Sequence, residues 1–389
     1  MSPDPEGIQR QFYALDEATV ERLVREVLAQ ELSVVDGGVL DRFEARAAEF
    51  LGGRAAVATC NGTAALHLAL FALDLAPGDE VIVPTYAYYG TALPICLVGA
   101  VPVFCDIRED DLTPDPADIE VRITTRTRAI LAHQPWGCPA DAEALRALAD
   151  KYGLALISDS SHAQGATWRG RPHGAYYDIV CSSLGKGKLL SGGELGVVVA
   201  NDDRQLDRML LFGHVNRIPD AFRTEEYRHM HNSVGVKYRP HTFALALALA
   251  QLDSYRERTE RLVDNIRRFE AGLAGIEGFE PFGSPWAAER VYWRVPVRID
   301  PVRVGSVESV IARLRRHGCP VEVEKSGPLV HRHNAMTDFY RVRTPETFPV
   351  AAKIVGESIL LHAFPFFRDA VAEQVLEALR SVSGLAAVE

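Results

Sequence analysis

The 389-residue sequence has no C-x-x-C spacing among its six cysteines (Cys60, Cys96, Cys105, Cys138, Cys181 and Cys319), and so neither a zinc site nor a disulfide framework is indicated. Most of these thiols are expected to be small buried apolar residues. Basic charge is not in excess either: the formal net charge is −10 and the pI is near 5.7. Nucleic acid and anionic membrane surfaces are therefore not expected partners, since either would normally need a basic patch. No stretch approaches the roughly eighteen consecutive apolar residues of a membrane helix. Met1-Ser2-Pro3-Asp4-Pro5-Glu6 lacks the basic-then-apolar profile of a signal peptide, so a cytoplasmic location is expected. No G-x-G-x-x-G follows the first strand-like segment, which sets aside a dinucleotide fold. Internal repeats and low-complexity segments are missing too. His331-Arg332-His333 has no third ligand nearby in sequence, and this triplet reads as a solvated or substrate-facing loop; no metal is expected.

What is present is 47% hydrophobic sequence, enough for two domains with real cores. Residues 8–50 read as helices, with Leu15, Val20, Leu23, Val24, Val27 and Leu28 at helical spacing and a break at Asp36-Gly37-Gly38. Such an arm would pack on the main domain or on a partner subunit. Strand-like runs at 57–60, 81–84, 101–104, 129–133, 154–158 and 197–199 alternate with helical segments, including 140–152, which predicts a mainly parallel sheet between helices. The polar segment 213–233 is long enough to be a functional loop, and a helix follows over 243–252. A charged helix from Arg256 to Leu273 leads to a smaller α+β unit with strands at 293–297 and 320–323 and helices at 306–317 and 369–381. The expected division is 1–255 and 256–389.

The chemistry concentrates in Ser182-Ser183-Leu184-Gly185-Lys186-Gly187-Lys188, which sets two lysines among glycines before the run Val197-Val198-Val199. A lysine held between small residues at a strand edge can be desolvated, lowering its pKa and freeing the amine to attack a carbonyl. One of the two is a candidate Schiff-base residue; taken alone, both would read as solvated loop charges. The run 154–158 delivers Asp159 to a strand's carboxyl end, where α/β sheets bind ligands. A lysine for an aldehyde and a carboxylate for a pyridine nitrogen together point to pyridoxal phosphate (PLP). Asn61-Gly62-Thr63 breaks a strand and opens a small-residue helix, either an ordinary cap or a site for the cofactor phosphate. Tyr88, and after it Tyr86, could stack on a flat cofactor or serve in the core. His162 stands one helical turn beyond Asp159, so both could line one pocket.

The order Asn-Gly-Thr, Pro-Gly-Asp-Glu-Val-Ile-Val-Pro, Gly-Ala-x-Pro-Val-Phe, Asp-x-x-His-Ala-x-Gly-Ala, then Ser-x-x-x-x-Lys-x-x-x-x-Gly-Glu resembles the DegT/DnrJ/EryC1/StrS family. These are PLP-dependent sugar and cyclitol aminotransferases with the type I, aspartate aminotransferase-like fold: a large domain with a mainly parallel sheet between helices, and a smaller C-terminal α+β domain. The resemblance implies that Lys188, five residues before Gly193-Glu194, is the Schiff-base lysine and that Lys186 is its neighbour. It further implies that Ser183 binds phosphate beside Gly62 and Thr63, Asp159 pairs with the pyridinium nitrogen, His162 touches the ring hydroxyl side, and Tyr88 stacks on the ring face. Where the family often has an asparagine reaching a partner subunit's phosphate, this chain has Lys237, able to act as a point charge. Gly193-Glu194-Leu195-Gly196 departs from the family's Gly-Glu-Gly-Gly. The segment around His331 resembles the substrate-side loop, and Arg239 is a candidate for the donor carboxylate.

The expected protein is thus a homodimeric aminotransferase with shared active sites, of the kind found in antibiotic biosynthesis. It would take an amino group from L-glutamate or L-glutamine and pass it to a keto group of a nucleotide sugar, a cyclitol or a related secondary-metabolite intermediate. Two alternatives stand beside it: a PLP-dependent dehydratase or eliminase of an aminocyclohexenone-type substrate, and a catalytically silent regulatory or complex subunit with the same fold.

Overall fold

A computed structural model describes residues 5–29, 37–215, 217, 222–231, 233–283, 289–317, 319, 323–325, 329–344 and 347–383. Three helices open the chain: α1 (Pro5–Phe12), α2 (Glu17–Leu28) and α3 (Gly38–Leu51). Strands and helices then alternate through β1 (Ala55–Thr59), α4 (Gly62–Ala72), β2 (Glu80–Pro84), α5 (Tyr89–Leu97), β3 (Val101–Cys105), α6 (Pro116–Arg122), β4 (Thr127–His133), α7 (Ala142–Tyr152) and β5 (Ala155–Asp159). A small ribbon of β6 (Thr167–Trp168) and β7 (Arg171–Pro172) leads to β8 (Ile179–Ser183), β9 (Gly196–Ala200), α8 (Asp203–Gly213), α9 (Thr242–Asp253) and α10 (Tyr255–Leu273). The C-terminal part contains β10 (Phe279–Pro281), β11 (Arg294–Ile299), α11 (Pro301–Val304), α12 (Val307–Arg316), β12 (Val323–Lys325), α13 (Pro349–Gly356), β13 (Ser358–His362) and α14 (Val371–Ser383).

Seven strands form one sheet in the order β1-β9-β8-β5-β4-β2-β3, parallel throughout except for β9, which runs antiparallel to both neighbours. Its strands are apolar at successive positions because both faces are covered. In β9, Val197 and Val199 enter the core beneath α3 and α9, while Val198 enters the opposite core against α4 and α8. Aspartate and asparagine caps start the crossover helices where the 3.6-residue pattern begins: Asn61 Oδ1 accepts from Ala64 N–H at 2.8 Å, and Asp141 Oδ1 from Ala144 N–H at 3.0 Å. The second sheet, β10-β11-β13-β12, is antiparallel.

The expected mainly parallel sheet and the expected helices near 306–317 and 369–381 are present. The strand at 320–323 falls mostly outside the described residues, as does Asp36 of the expected helix break. One difference lies in the arm. Phe12 of α1 packs edge-on against Phe364 and Phe367 at 5.1 and 5.4 Å, and its carbonyl accepts from Arg258 Nη1 at 2.8 Å, so α1 is fixed to the C-terminal part of the chain. In α2, Leu23 and Val27 are buried, whereas Val20, Val24 and Leu28 are exposed.

Candidate active site

Parallel strands with matched ends deliver their last residues to one edge, and here β4, β5 and β8 present His133, Asp159 and Ser183. Asp159 is 3% exposed. Its Oδ2 accepts from the Thr91 hydroxyl at 2.7 Å and lies 3.5 Å from His133 Nδ1, while its Oδ1 accepts from Ser161 N–H at 3.1 Å. Burial alone would raise the pKa of this carboxyl. The His133 imidazole and the two hydrogen bonds outweigh that effect and hold it well below the ordinary carboxylate range. The result is a permanent anion at the bottom of the site.

Beside it, the turn between β1 and α4 presses on the end of β8. A Cβ on Gly62 would fall 2.5 Å from Ser183 Cβ, so only glycine permits this approach. The N-terminus of the 11-residue α4 therefore opens directly next to Ser183, with its first-turn N–H groups at the edge of the sheet. Tyr88, 54% exposed at the cap of α5, lays its ring against Gly90, close to the Thr63 hydroxyl. Tyr86, in contrast, is buried and accepts from Trp136 Nε1 at 3.3 Å. Of the two tyrosines considered for stacking, Tyr88 is the open one.

The loop between β8 and β9 carries the lysines, and buried amides fix it from below. Gln164 donates to the carbonyls of Ser183 and Leu190 at 3.0 and 3.2 Å and accepts from Leu190 N–H at 2.8 Å. Gln251 donates to the Ser191 carbonyl at 2.6 Å and accepts from Ser191 N–H at 3.3 Å. Lys186 is exposed. Lys188 is half-buried as a residue, its amine is enclosed, and its Nζ stands 4.0 Å from the centre of the Trp293 ring. Burial drives its pKa down from 10.5 to about 7; Asp159 opposes the shift and Arg294 adds to it. The Tyr13 hydroxyl donates to the Lys188 carbonyl.

Trp293 reaches Lys188 because the two sheets are fastened together at this point. Val291 N–H donates to the Gly137 carbonyl at 3.1 Å and Trp293 N–H to the Trp136 carbonyl at 3.2 Å. Trp136 takes a left-handed conformation (φ 54°) to make the turn, and Gly137 (φ 102°) has no room for a side chain, because a Cβ would lie 2.0 Å from the Val291 carbonyl oxygen. His162 stacks on Trp293 at 3.8 Å and on Trp136 at 5.2 Å, and meets His133 edge-on at 4.7 Å. Burial first, and the Lys188 charge second, push the His162 pKa well below its ordinary value, leaving a neutral ring. Its buried Nδ1 has no hydrogen-bond partner among the described residues. Asp159 ends β5 and Ser161-His162 lie in the turn that follows, and His162 meets His133, whose Nδ1 stands 3.5 Å from Asp159 Oδ2.

Gly62, Thr63, Tyr88, Asp159, His162, Ser183 and Lys188 thus gather along one sheet edge. Lys237 and Arg239 lie to the side of this group: Lys237 is exposed and bridged to the His214 backbone, Arg239 acts on the buried His214, and Tyr238 O accepts from Cys60 N–H at 2.7 Å. His331 is half-buried, hydrogen-bonded to Thr85 and packed 4.8 Å from Phe348, whereas His333 stacks on Tyr89 at 4.7 Å. His133, Thr91, Ser161, Trp136, Trp293 and Arg294 were not signalled by any local pattern. They come from five separate segments, Trp293 and Arg294 being neighbours, and only the tertiary fold brings them to the site.

The sequence profile of the DegT/DnrJ/EryC1/StrS aminotransferase family matches residues 15–380. The chain is 28% identical over 352 residues to GDP-perosamine synthase of Vibrio cholerae, covering 89% of this chain and 91% of that protein. It is 32% identical over 351 residues to a Streptoalloteichus tenebrarius protein assigned as an L-glutamine:3-amino-2,3-dideoxy-scyllo-inosose aminotransferase, covering 85% and 83%. The crystal structure of 3-amino-5-hydroxybenzoic acid synthase superimposes with a TM-score of 0.85 at 25% identity, covering 95% of this chain and 97% of that one. Fold, site and relatives define a PLP-dependent aminotransferase. The chain belongs to the DegT/DnrJ/EryC1/StrS aminotransferase family.

The residues present fit that cofactor. An enclosed amine, a permanently ionised carboxylate, an orphaned imidazole nitrogen and a glycine-only approach to a helix N-terminus match an aldehyde, a protonated pyridine nitrogen, a ring hydroxyl and a phosphate in turn.

Proposed function

We propose that this enzyme takes an amino group from L-glutamate or L-glutamine and delivers it to a keto group of a nucleotide sugar, a cyclitol or a related secondary-metabolite intermediate. The observation that carries this reading is the meeting of the enclosed Lys188 amine with the clamped Asp159 carboxylate at one sheet edge. The family and the named activities of the relatives support the substrate classes. Bound PLP supplies the aldehyde that receives the amino group and a ring that withdraws electrons from the donor α-carbon.

In this proposal Lys188 holds the cofactor in the resting enzyme and, once released, its Nζ is the base that takes the donor α-proton. Asp159 keeps the pyridine nitrogen protonated, and His133, Thr91 and Ser161 keep Asp159 ionised. Ser183 and the N–H groups of Gly62 and Thr63 hold the phosphate, His162 faces the ring hydroxyl, and Tyr88 covers the ring. Lys237 completes the phosphate site of a second subunit in a homodimer. His331 supports the acceptor side by ordering the loop that packs on Thr85 and Tyr89.

The test is the absorption spectrum of the purified protein with added PLP, before and after L-glutamate and then L-glutamine. A visible band that one donor bleaches is expected; the absence of any band would end this reading. The aromatic product in the name of 3-amino-5-hydroxybenzoic acid synthase favours a second reading, elimination from an aminocyclohexenone-type substrate. A band that no amino acid bleaches would move the assignment there.

A further inference from the structure

The tip of the lysine loop is gripped from two directions. Trp293, immediately before β11, donates its indole Nε1–H to the Gly187 carbonyl at 2.6 Å. Tyr13, immediately after α1, donates its hydroxyl to the Lys188 carbonyl. These two carbonyls belong to the peptide planes on either side of the Lys188 Cα. Holding both planes fixes the φ and ψ between them, and with those the direction in which the side chain leaves the backbone. The loop itself adds one bond to the first plane, from Lys188 N–H to the Gly185 carbonyl at 3.2 Å. Gln164 and Gln251 act further along, at Ser183, Leu190 and Ser191.

Both donors are themselves fixed. The Trp293 ring stacks on His162 at 3.8 Å, and its backbone N–H is bonded to the Trp136 carbonyl at 3.2 Å. The Tyr13 ring meets Phe364 edge-on at 5.6 Å, and its hydroxyl accepts from Gln9 Nε2 at 3.4 Å. Such placement matters because Nζ must meet a proton on the donor α-carbon. A lysine side chain has several rotatable bonds, and any error in its backbone is carried along them to the amine. A misplacement of about 1 Å is enough to slow such a step by as much as ~100-fold. The Trp293 ring adds a restraint at the far end of the same side chain, 4.0 Å from Nζ.

We propose that Trp293 and Tyr13 are positioning residues for the α-proton transfer: by holding the two peptide planes of Lys188 they return its Nζ to one place in every turnover. This deepens the aminotransferase reading above and rests on it, with Lys188 as the base. Each residue acts through Lys188 and need not touch the donor. One plane held alone leaves a backbone torsion free. Both restraints are therefore needed together, and losing either has nearly the effect of losing both.

The experiment compares PLP-loaded wild-type enzyme with Trp293→Phe, Tyr13→Phe and the double variant. It follows loss of the visible cofactor band in single turnovers over a range of L-glutamate and L-glutamine concentrations, each donor carrying hydrogen or deuterium at its α-carbon. Trp293→Phe keeps a ring and removes the indole N–H; Tyr13→Phe removes one hydroxyl. Each single variant should lower the limiting rate by about five- to tenfold, the contribution of one hydrogen bond, with half-saturation within about threefold of wild type. The deuterium effect should be at least as large as in wild type, because the slowed step is the proton transfer. The double variant should be no more than about threefold slower than the slower single variant. Limiting rates within about twofold of wild type in both single variants would overturn the proposal. So would a loss confined to half-saturation or a shrunken deuterium effect, either of which puts the defect outside the proton transfer. A double variant slowed by the product of the two single effects would overturn the joint hold on Lys188. If Trp293→Phe takes up no PLP, Tyr13→Phe decides alone. A wild-type enzyme that shows no band with PLP, or no bleaching by any amino acid, would instead remove the parent reading and this role with it.

Discussion

Lys188 and Lys186 differ by two positions and by everything around them. Lys188 is enclosed under Trp293 with a pKa near 7, whereas Lys186 is exposed. Lys188→Ala should abolish both the visible PLP band and turnover, and Lys186→Ala should keep them; the reverse result would transfer the role. The depressed pKa also sets a pH dependence. Below about pH 7 the Lys188 amine is protonated and cannot attack an aldehyde, so the rate of PLP uptake by the cofactor-free protein should rise through pH 7 and level off by about pH 9. A rate that climbs only near pH 10.5 would mark an ordinary solvated lysine. Gly62→Ala drives a Cβ into Ser183 and should cost roughly 1–3 kcal/mol of overpacking at the phosphate turn, read as at least a tenfold loss in PLP affinity. Much of this was legible from sequence because Asp159 and Ser183 end strands while Gly62 and Lys188 lie in the glycine-marked turn and loop that follow strands, and both features are locally encoded. Arg294 and Trp293 were visible only as part of a strand, since nothing in Trp-Arg-Val-Pro-Val says which lysine they will face.

At the scale of elements, the lysine loop is held by amides that lie far from it in sequence. Gln251 of α9 satisfies both backbone groups of Ser191, and Gln251→Ala would leave a buried N–H and carbonyl unpaired. The expected loss is roughly 2 kcal/mol or more in urea unfolding, with weaker PLP binding; an unchanged midpoint would show that water replaces the amide. The alternation of strands and helices up to β5 was readable, because buried parallel strands are short apolar runs set off by turns. The antiparallel course of β9 was not, since Gly-Val-Val-Val-Ala has the same look in either direction and its pairing with β1 and β8 is decided by the fold.

For the molecule as a whole, the exposed stripe Val20, Val24 and Leu28 on α2 lies on a helix packed against α9, whose Phe243 and Leu247 are also exposed. Exposed apolar side chains on two adjoining helices are of the kind that a partner copy covers. Val24→Asp combined with Leu247→Asp should therefore shift the proposed dimer to monomer in sedimentation velocity, and should weaken PLP binding if Lys237 serves the neighbouring phosphate. A variant that sediments as the wild type would place the interface elsewhere.

The fastening of Trp136-Gly137 to Val291 and Trp293 has a last consequence. The strength of Lys188 as a nucleophile is written far downstream of the lysine itself, in a strand that belongs to the other sheet. A chain stopped after α10 would retain Asp159, Ser183 and Lys188, yet its amine would stand in water and hold its proton at neutral pH. Reactivity in this protein is a property of the finished fold, acquired only when the last third of the chain has closed over the first.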